Sequence, residues 1–297
     1  MKTNKALLLV LLCIMSLTAA CGPRNQTAPA KESDGLTIYT TVYPLYDFTK
    51  TIVGNRGHVE TLIPAGADPH DFELSLKQTA KLYEADLFIY LGESMEPWAE
   101  KLAGELEGKG VAVIEAGKGL VKNDDPHIWL DPILAKEISA RICERLVSID
   151  REQEGTFKEN LAKLMDDFDQ LDEDFKALAQ KAVHKDLVVS HAFLGYVADR
   201  YGFNQIAITG LSPQDDPSPK KMGELVEFCK ANGIKYIFAE QGEVQKLAST
   251  LAEEVGAEIL TLNPLGSLRQ EDMDAGQDYF SIMRANLKLL NQALAGE

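Results

Sequence analysis

Five histidines occur among the 297 residues, and three of them stand where an imidazole could do chemistry. His70 lies in PAGADPHDFELS, a segment broken by Pro64, Gly66 and Pro69 that reads as a loop after a strand. His127 lies in DDPHIWLDP, ahead of a helix that Pro132 opens. His191 lies in VVSHAFLGY, at the carboxyl end of a strand, and that is the edge where open α/β sheets gather their ligands. Three imidazoles converging on a cleft would suit a borderline metal such as zinc. A single loop histidine is more often a solvated polar residue, so the weight rests on the shared placement of the three. His58 opens a strand and His184 follows a long helix beside Lys185; both read as surface residues.

The nearby carboxylates carry two readings each. Asp131 follows His127 by four residues and reads as the cap of the Pro132 helix, with orientation of a metal-bound imidazole as the second reading. Glu240 ends the strand KYIFAE, at the same sheet edge as His191. Asp68 precedes His70 by two residues, and Asp124 and Asp125 either draw cations toward the site or are simply solvated. Covalent catalysis finds no constellation. G-x-S-x-G, the Walker loop, G-x-G-x-x-G and H-E-x-x-H are missing from the sequence. Ser190 and His191 are neighbours in sequence, which is not the geometry of a nucleophile and its base.

The elements that must position these residues follow from periodicity. Short apolar runs at 36–42, 58–63, 87–91 and 111–114 read as strands. Helical patterns separate them, from Tyr43 to Gly54, from the 64–69 loop to about 85, and over 98–106. This βαβα rhythm predicts a parallel sheet flanked by helices. A helix from Pro132 to about 148 interrupts it. A long amphipathic stretch from about 152 to 182 follows, with Phe157, Leu161, Leu164, Phe168, Leu171, Phe175 and Leu178 spaced by four and three. One helix of that length is roughly 45 Å long, the scale of a whole domain. Strands at 187–190, 205–209, 235–239 and 258–262 then resume the pattern, with helices at 193–201, 219–232 and 244–255 and a last one at 278–295. The expected fold is α/β: two similar lobes, each a mostly parallel sheet flanked by helices, joined by one long rigid helix.

Composition is that of a globular chain, 26% charged and 45% hydrophobic. The net charge of −16 repels phosphate backbones, so nucleic-acid binding is not expected. Residues 1–20 form an export signal, with Lys2 and Lys5 before an apolar run and Thr18, Ala19 and Ala20 before Cys21. Cys21 in that position resembles the lipidated cysteine of a bacterial lipobox; the plain secretory alternative makes it incidental. Residues 21–35 are polar and rich in Pro, Gly and Ser, as in a flexible tether. The expected division is a signal at 1–20, the tether at 21–35, an N-terminal lobe at 36–150, a linking helix at 151–182 and a C-terminal lobe at 183–297. Cys143 and Cys229 sit among apolar helix positions and read as buried free thiols rather than a pair.

PAGADPHDFELS, DDPHIWLDP, SHAFLGYVADRYGF, IFAEQ and LNPLGSL, in this order and spacing, resemble the metal-binding substrate-binding proteins of ABC importers. These are the cluster A-I lipoproteins of high-affinity zinc and manganese uptake, of class III solute-binding architecture. The resemblance runs from about Leu36 to the end of the chain. It implies two α/β lobes joined by one long helix, and His70, His127 and His191 as metal ligands. Manganese-binding members usually carry glutamate at the third of these positions and an acid later in the chain. Here the third is His191, and Asn263 and Gly266 stand where the later acid would be. Water, Glu240 and Asn263 remain as candidates for a fourth ligand.

The function expected on this reading is capture of Zn(II) outside the cytoplasm and delivery to an ABC-type permease. The protein would be a lipid-anchored monomer on the outer face of the cell membrane, and not an enzyme. Mn(II) is the less fitting ion, because imidazole nitrogens suit zinc and the harder ion prefers oxygen. Zinc binding is expected to weaken as pH falls through about 6, where an ordinary imidazole takes up its proton. Two rival readings are a zinc hydrolase with Glu240 as general base, and a surface adhesin in which metal is incidental.

Overall fold

The computed structural model describes residues 35–240 and 245–295. The signal segment, Cys21 and nearly all of the tether lie outside them. Strands β1 (Leu36–Thr40), β2 (Gly57–Thr61), β3 (Leu87–Tyr90) and β4 (Ala112–Glu115) form one sheet in the order β2-β1-β3-β4. Every pairing in it is parallel. Strands β5 (Asp186–Val189), β6 (Asn204–Ala207), β7 (Tyr236–Glu240) and β8 (Glu258–Leu262) repeat that order as β6-β5-β7-β8, again parallel throughout. The four residues of β3 are all buried. A strand covered on both faces reads as a continuous apolar run, which is why LFIY does not alternate.

Helices α1 (Tyr43–Val53), α2 (Leu76–Leu82) and α3 (Pro97–Glu107) belong to the first sheet. Helices α4 (Pro132–Ile149) and α5 (Glu154–Lys181) follow, separated by a 3-10 turn over Arg151–Gln153. The second sheet carries α6 (Gly195–Tyr201), α7 (Pro219–Asn232) and α8 (Gln245–Val255), and α9 (Gln270–Asp274) and α10 (Tyr279–Leu294) close the chain. Helix starts are encoded locally. Ser75 and Gln78 make a reciprocal capping box on α2, and Pro44, Pro97, Pro132 and Pro219 stand in first turns, where a missing N–H costs nothing. Gly233 ends α7 with φ 62°, a conformation that costs a side-chain-bearing residue free energy.

Helix α5 has 28 residues and so spans about 42 Å. Phe157, Leu164, Phe168, Leu171, Phe175 and Leu178 of the predicted stripe are buried, Leu161 is half-buried, and Asp172 joins the buried face by accepting the Tyr201 hydroxyl. Along it pack α4, α1 and α10. Phe168 meets Phe48 of α1 at 5.2 Å between ring centroids, and Tyr279 and Phe280 of α10 at 5.7 and 4.9 Å. The main apolar core therefore runs from the first sheet through α5 into the second. Separate clusters fill the outer face of each sheet, around Leu82, Phe88 and Leu106 in one and Val188, Ile237 and Leu251 in the other. Cys143 lies in the main core and Cys229 in the outer cluster of the second sheet, both as buried free thiols.

Element ends differ from the sequence reading where polar groups intervene. Helix α2 stops at Leu82, three residues early, because Ala85 N–H turns back to Leu82 O and frees Asp86 N–H to bond Thr37 O of β1. Helix α6 starts at Gly195, not 193, because Ala192 N–H donates to Gly210 O and Phe193 N–H to His191 O. Among the described residues no helix is long and apolar enough to cross a membrane.

Phe168 tests the shared core. Phe168→Ala should destabilise the chain by about 3–5 kcal/mol, the usual cost of emptying a buried aromatic site. Urea unfolding should show one cooperative transition at a lower midpoint. Two separated transitions would mean that the sheets do not share a core.

Candidate metal centre

His70 and His127 are presented by the same three-residue device, Asp-Pro-His. Asp68 Oδ1 accepts the backbone N–H of His70 at 2.9 Å, and Asp125 Oδ1 that of His127 at 3.0 Å. An aspartate that bonds the backbone two residues ahead closes a turn within its own side chain, and the intervening proline fixes φ. The first turn continues as a 3-10 helix over Pro69–Asp71. The second is reached through Asn123 and Asp124 at φ 54° and 59°, residue types that tolerate the left-handed region. His191 arrives differently. Ser190 N–H bonds Phe238 O, and Glu240 N–H donates to Ser190 Oγ at 3.1 Å, so the chain leaves β5 pinned against β7. Strand order reverses between β5 and β7, and ligands of open α/β sheets collect at such a point.

The three rings meet. One ring nitrogen from each lies within 4.8 Å of the others. His70 Nε2 and His127 Nε2 are 3.3 Å apart. Zinc–imidazole bonds of 2.0–2.1 Å set the edge of a tetrahedron at about 3.3–3.4 Å, so this pair already has the bite of a tetrahedral zinc site. His127 and His191 are each 1% exposed, and His70 is half-buried at the rim.

Two carboxylates stand behind the rings. Asp125 Oδ1 lies 2.8 Å from His127 Nδ1. It holds the proton on that nitrogen and turns the Nε2 lone pair toward the other imidazoles. Glu240 Oε2 lies 2.9 Å from His191 Nδ1, out of line for a hydrogen bond, so both ring nitrogens of His191 and that carboxylate oxygen are buried without a hydrogen-bond partner. Buried polar atoms without partners are costly and uncommon. A cation bound among the rings would relieve the cost at one of the two His191 nitrogens.

Burial pushes His70 down to about 4, with the neighbouring His127 ring adding to the effect. His127 is also pushed down by burial, against the pull of Asp125. Both rings are therefore neutral at pH 7, with lone pairs available. This moves the pH expectation: competition from protons at His70 sets in toward pH 4 instead of near 6.

The other candidates take distinct places. Asp131 caps α4, accepting from Ile133 N–H at 2.9 Å, and both its oxygens lie 2.6 Å from Arg200 Nε. Asn263 lines the cleft, but its Oδ1 accepts the Leu265 N–H at 2.8 Å, and Asn286 bonds both its backbone N–H and its C=O. At Gly266 a Cβ would stand 2.8 Å from Pro69 Cγ, so the space for a side chain there is already filled. The cleft over the triad measures about 950 Å³.

Several positioning residues escape sequence reasoning. Gln214 Nε2 crosses the cleft to Asp68 Oδ2 at 2.7 Å and Asp71 Oδ2 at 2.9 Å, which brackets His70. Tyr196 Oη donates to Asp125 O at 2.8 Å. These partners are 71 to 146 residues apart, and no local pattern announces them. The repeat of Asp-Pro-His at 68–70 and 125–127 is a sequence signal for the two aspartates alone.

A sequence profile of the family described as zinc-uptake complex component A, periplasmic (ZnuA), matches residues 38–293. The zinc-binding lipoprotein AdcA of Streptococcus pneumoniae is 39% identical over 97% of this chain and 60% of its own length. The high-affinity zinc uptake system protein ZnuA of Bacillus subtilis is 36% identical over 97% of each chain. The chain thus spans about 60% of the AdcA relative and nearly all of the Bacillus one. Among solved structures, the Zn(II)-bound ZnuA-like domain of Streptococcus pneumoniae AdcA aligns with a TM-score of 0.79 at 40% identity. That alignment covers 88% of this chain and 99% of the other.

Asp125→Ala should lower zinc affinity about 10–100-fold, because the imidazole loses its orienting acceptor. Calorimetry measures the loss, and an unchanged affinity would remove Asp125 from the site. Zinc should also stay bound through pH 6 and be released as pH approaches 4 to 5. Equilibrium dialysis at stepped pH checks this, and half-release at pH 6 or above would contradict the lowered His70 value.

Proposed function

Since this chain belongs to the ZnuA family of zinc-uptake components, we propose that it captures one zinc ion through His70, His127 and His191 and passes it to an ABC-type importer. The 3.3 Å separation of the His70 and His127 Nε2 atoms carries the reading, because it matches the edge of a tetrahedral zinc site, where a cation would replace the hydrogen bond that the two rings can share. Glu240 lies on the Nδ1 side of His191, which leaves Nε2 for the ion. Asn263 stays out of the donor set, since its side-chain oxygen is used in its own turn. The chain performs no covalent chemistry. A Glu240 placed against His191 Nδ1 is poorly set to activate water as a hydrolase base.

The preferred ion follows from the donors. Three imidazoles bring no negative charge, and manganese, the weakest binder of the divalent series, depends on oxygen ligands. Residues 36–150 and 183–297 act as two lobes that hold the ion between them, with 151–182 as the linking helix. Cys21 carries the lipid that keeps the protein at the outer face of the membrane. Multiple acyl chains make such an anchor firm, where one alone holds only marginally.

Two measurements test this. In a competition titration at pH 7, zinc should outcompete manganese by orders of magnitude, and His127→Ala should reduce zinc affinity by orders of magnitude while the protein remains folded. Comparable affinity for the two ions would mean that oxygen ligands dominate the site. Cys21→Ser should release the protein from membrane fractions, and full retention would refute the anchor.

A further inference from the structure

One loop touches two of the three histidine arms. The chain between β6 and α7 leaves the second sheet at Thr209 and Gly210, and both residues hold the neighbours of His191. Thr209 N–H and Oγ1 donate to Ser190 O at 2.9 and 3.2 Å, and Gly210 O accepts the Ala192 N–H at 2.7 Å. The Thr209 hydroxyl is shared with Ser212 O at 3.3 Å, and Ser212 Oγ donates to Gln214 Oε1. With its oxygen so engaged, the Gln214 amide turns its NH2 group across the cleft. The two hydrogens there meet Asp68 Oδ2 at 2.7 Å and Asp71 Oδ2 at 2.9 Å. Asp68 in turn shapes the His70 turn through its other oxygen. Segment 209–214 is thus rooted on both sides of His191 and reaches both sides of His70.

We propose that Gln214 sets how long zinc stays bound, as a positioning residue that acts through His70 and ligates nothing itself. This rests on the three-histidine reading above. His127 and His191 are each 1% exposed, and His70 is half-buried, so His70 is the ring with room to leave first. While the other two rings hold the ion, a detached ring kept close rebinds as an intramolecular partner, at a high effective concentration. Zinc escapes only in the fraction of time that the His70 turn is away, and Gln214 lowers that fraction. Its two bonds run to carboxylates, which makes them members of the stronger class of hydrogen bond. They also place a donor between Asp68 and Asp71, two like charges that repel each other when nothing bridges them.

The test follows zinc transfer from the loaded full chain to an excess of a fluorescent chelator, by stopped flow at pH 7. Several chelator concentrations are used, so that the dissociation-limited rate is read. Gln214→Ala should release zinc about ten-fold faster, the effect of losing charge-assisted hydrogen bonds, with an association rate within about two-fold of the parent. Charge variants separate a bridge from a field acting on the ion through space. The bridge predicts that Gln214→Lys, still a donor to both aspartates, releases zinc more slowly than Gln214→Ala, and that Gln214→Glu releases it faster. The field predicts the reverse order, because an added carboxylate attracts zinc and an added ammonium repels it. In a His70→Ala background, Gln214→Ala should leave zinc affinity where His70→Ala alone puts it. An unchanged release rate in Gln214→Ala, the reverse order of the charge variants, or a further loss in the double variant would each overturn the proposal. If His70→Ala itself releases zinc at the parent's rate, the three-histidine reading falls instead.

Discussion

One oxygen of Asp125 accepts both the backbone and the ring N–H of His127, at 3.0 and 2.8 Å. A buried imidazole has two nitrogens and must place both. With Nδ1 satisfied, Nε2 can only point its lone pair away, and in this fold away means toward His70 and His191. The same aspartate is fastened from the other side of the cleft, where its backbone carbonyl accepts the Tyr196 hydroxyl. Its carboxylate also fills the space beside Gly195, where a Cβ would stand 2.6 Å from Oδ2. Ring orientation, proton position and the apposition of the two halves thus meet at a single side chain.

The two sheets share a strand order but use its reversal point differently. In the second sheet the crevice between β5 and β7 presents His191 and Glu240. In the first, the equivalent crevice between β1 and β3 is filled by Glu96, 1% exposed, which accepts the N–H groups of Leu91 and Gly92 and the Thr41 hydroxyl. Burial raises that carboxyl to about 7. The first half therefore brings its ligands from loops beyond β2 and β4, where Asp-Pro-His turns supply the order that a strand edge would otherwise give.

Much of this architecture can be read from residue order. The Phe and Leu stripe of α5 has the helical period, and the short apolar strands and first-turn prolines mark their elements without help from the rest of the chain. The three histidines were legible because each stands beyond a strand end. What stayed hidden is what joins distant segments. Arg200 is an ordinary helical arginine until Asp131 meets it, and Gln214 is one polar residue among many in a loop rich in proline and aspartate. Periodicity reports the face that a residue shows, and it carries nothing about which partner will stand opposite. Asp125 fell between these cases, since its spacing to His127 was visible but its bond to the ring nitrogen required the fold.

Mechanically, α5 is a beam. It has no interior proline, its one glycine lies at the second residue, and aromatic rings from both halves clamp its middle. A beam of this kind does not flex under modest loads, so compliance must reside in the segments that border the cleft. The loop that carries His70 is tied across by the two Gln214 bonds and by Gly66 N–H to Ser267 Oγ at 2.8 Å. At roughly 1 kcal/mol net for each such bond, only a few kcal/mol of work separates the fastened loop from a free one. A displacement of a few ångströms at that rim would do what a rotation of whole lobes does in a hinged receptor.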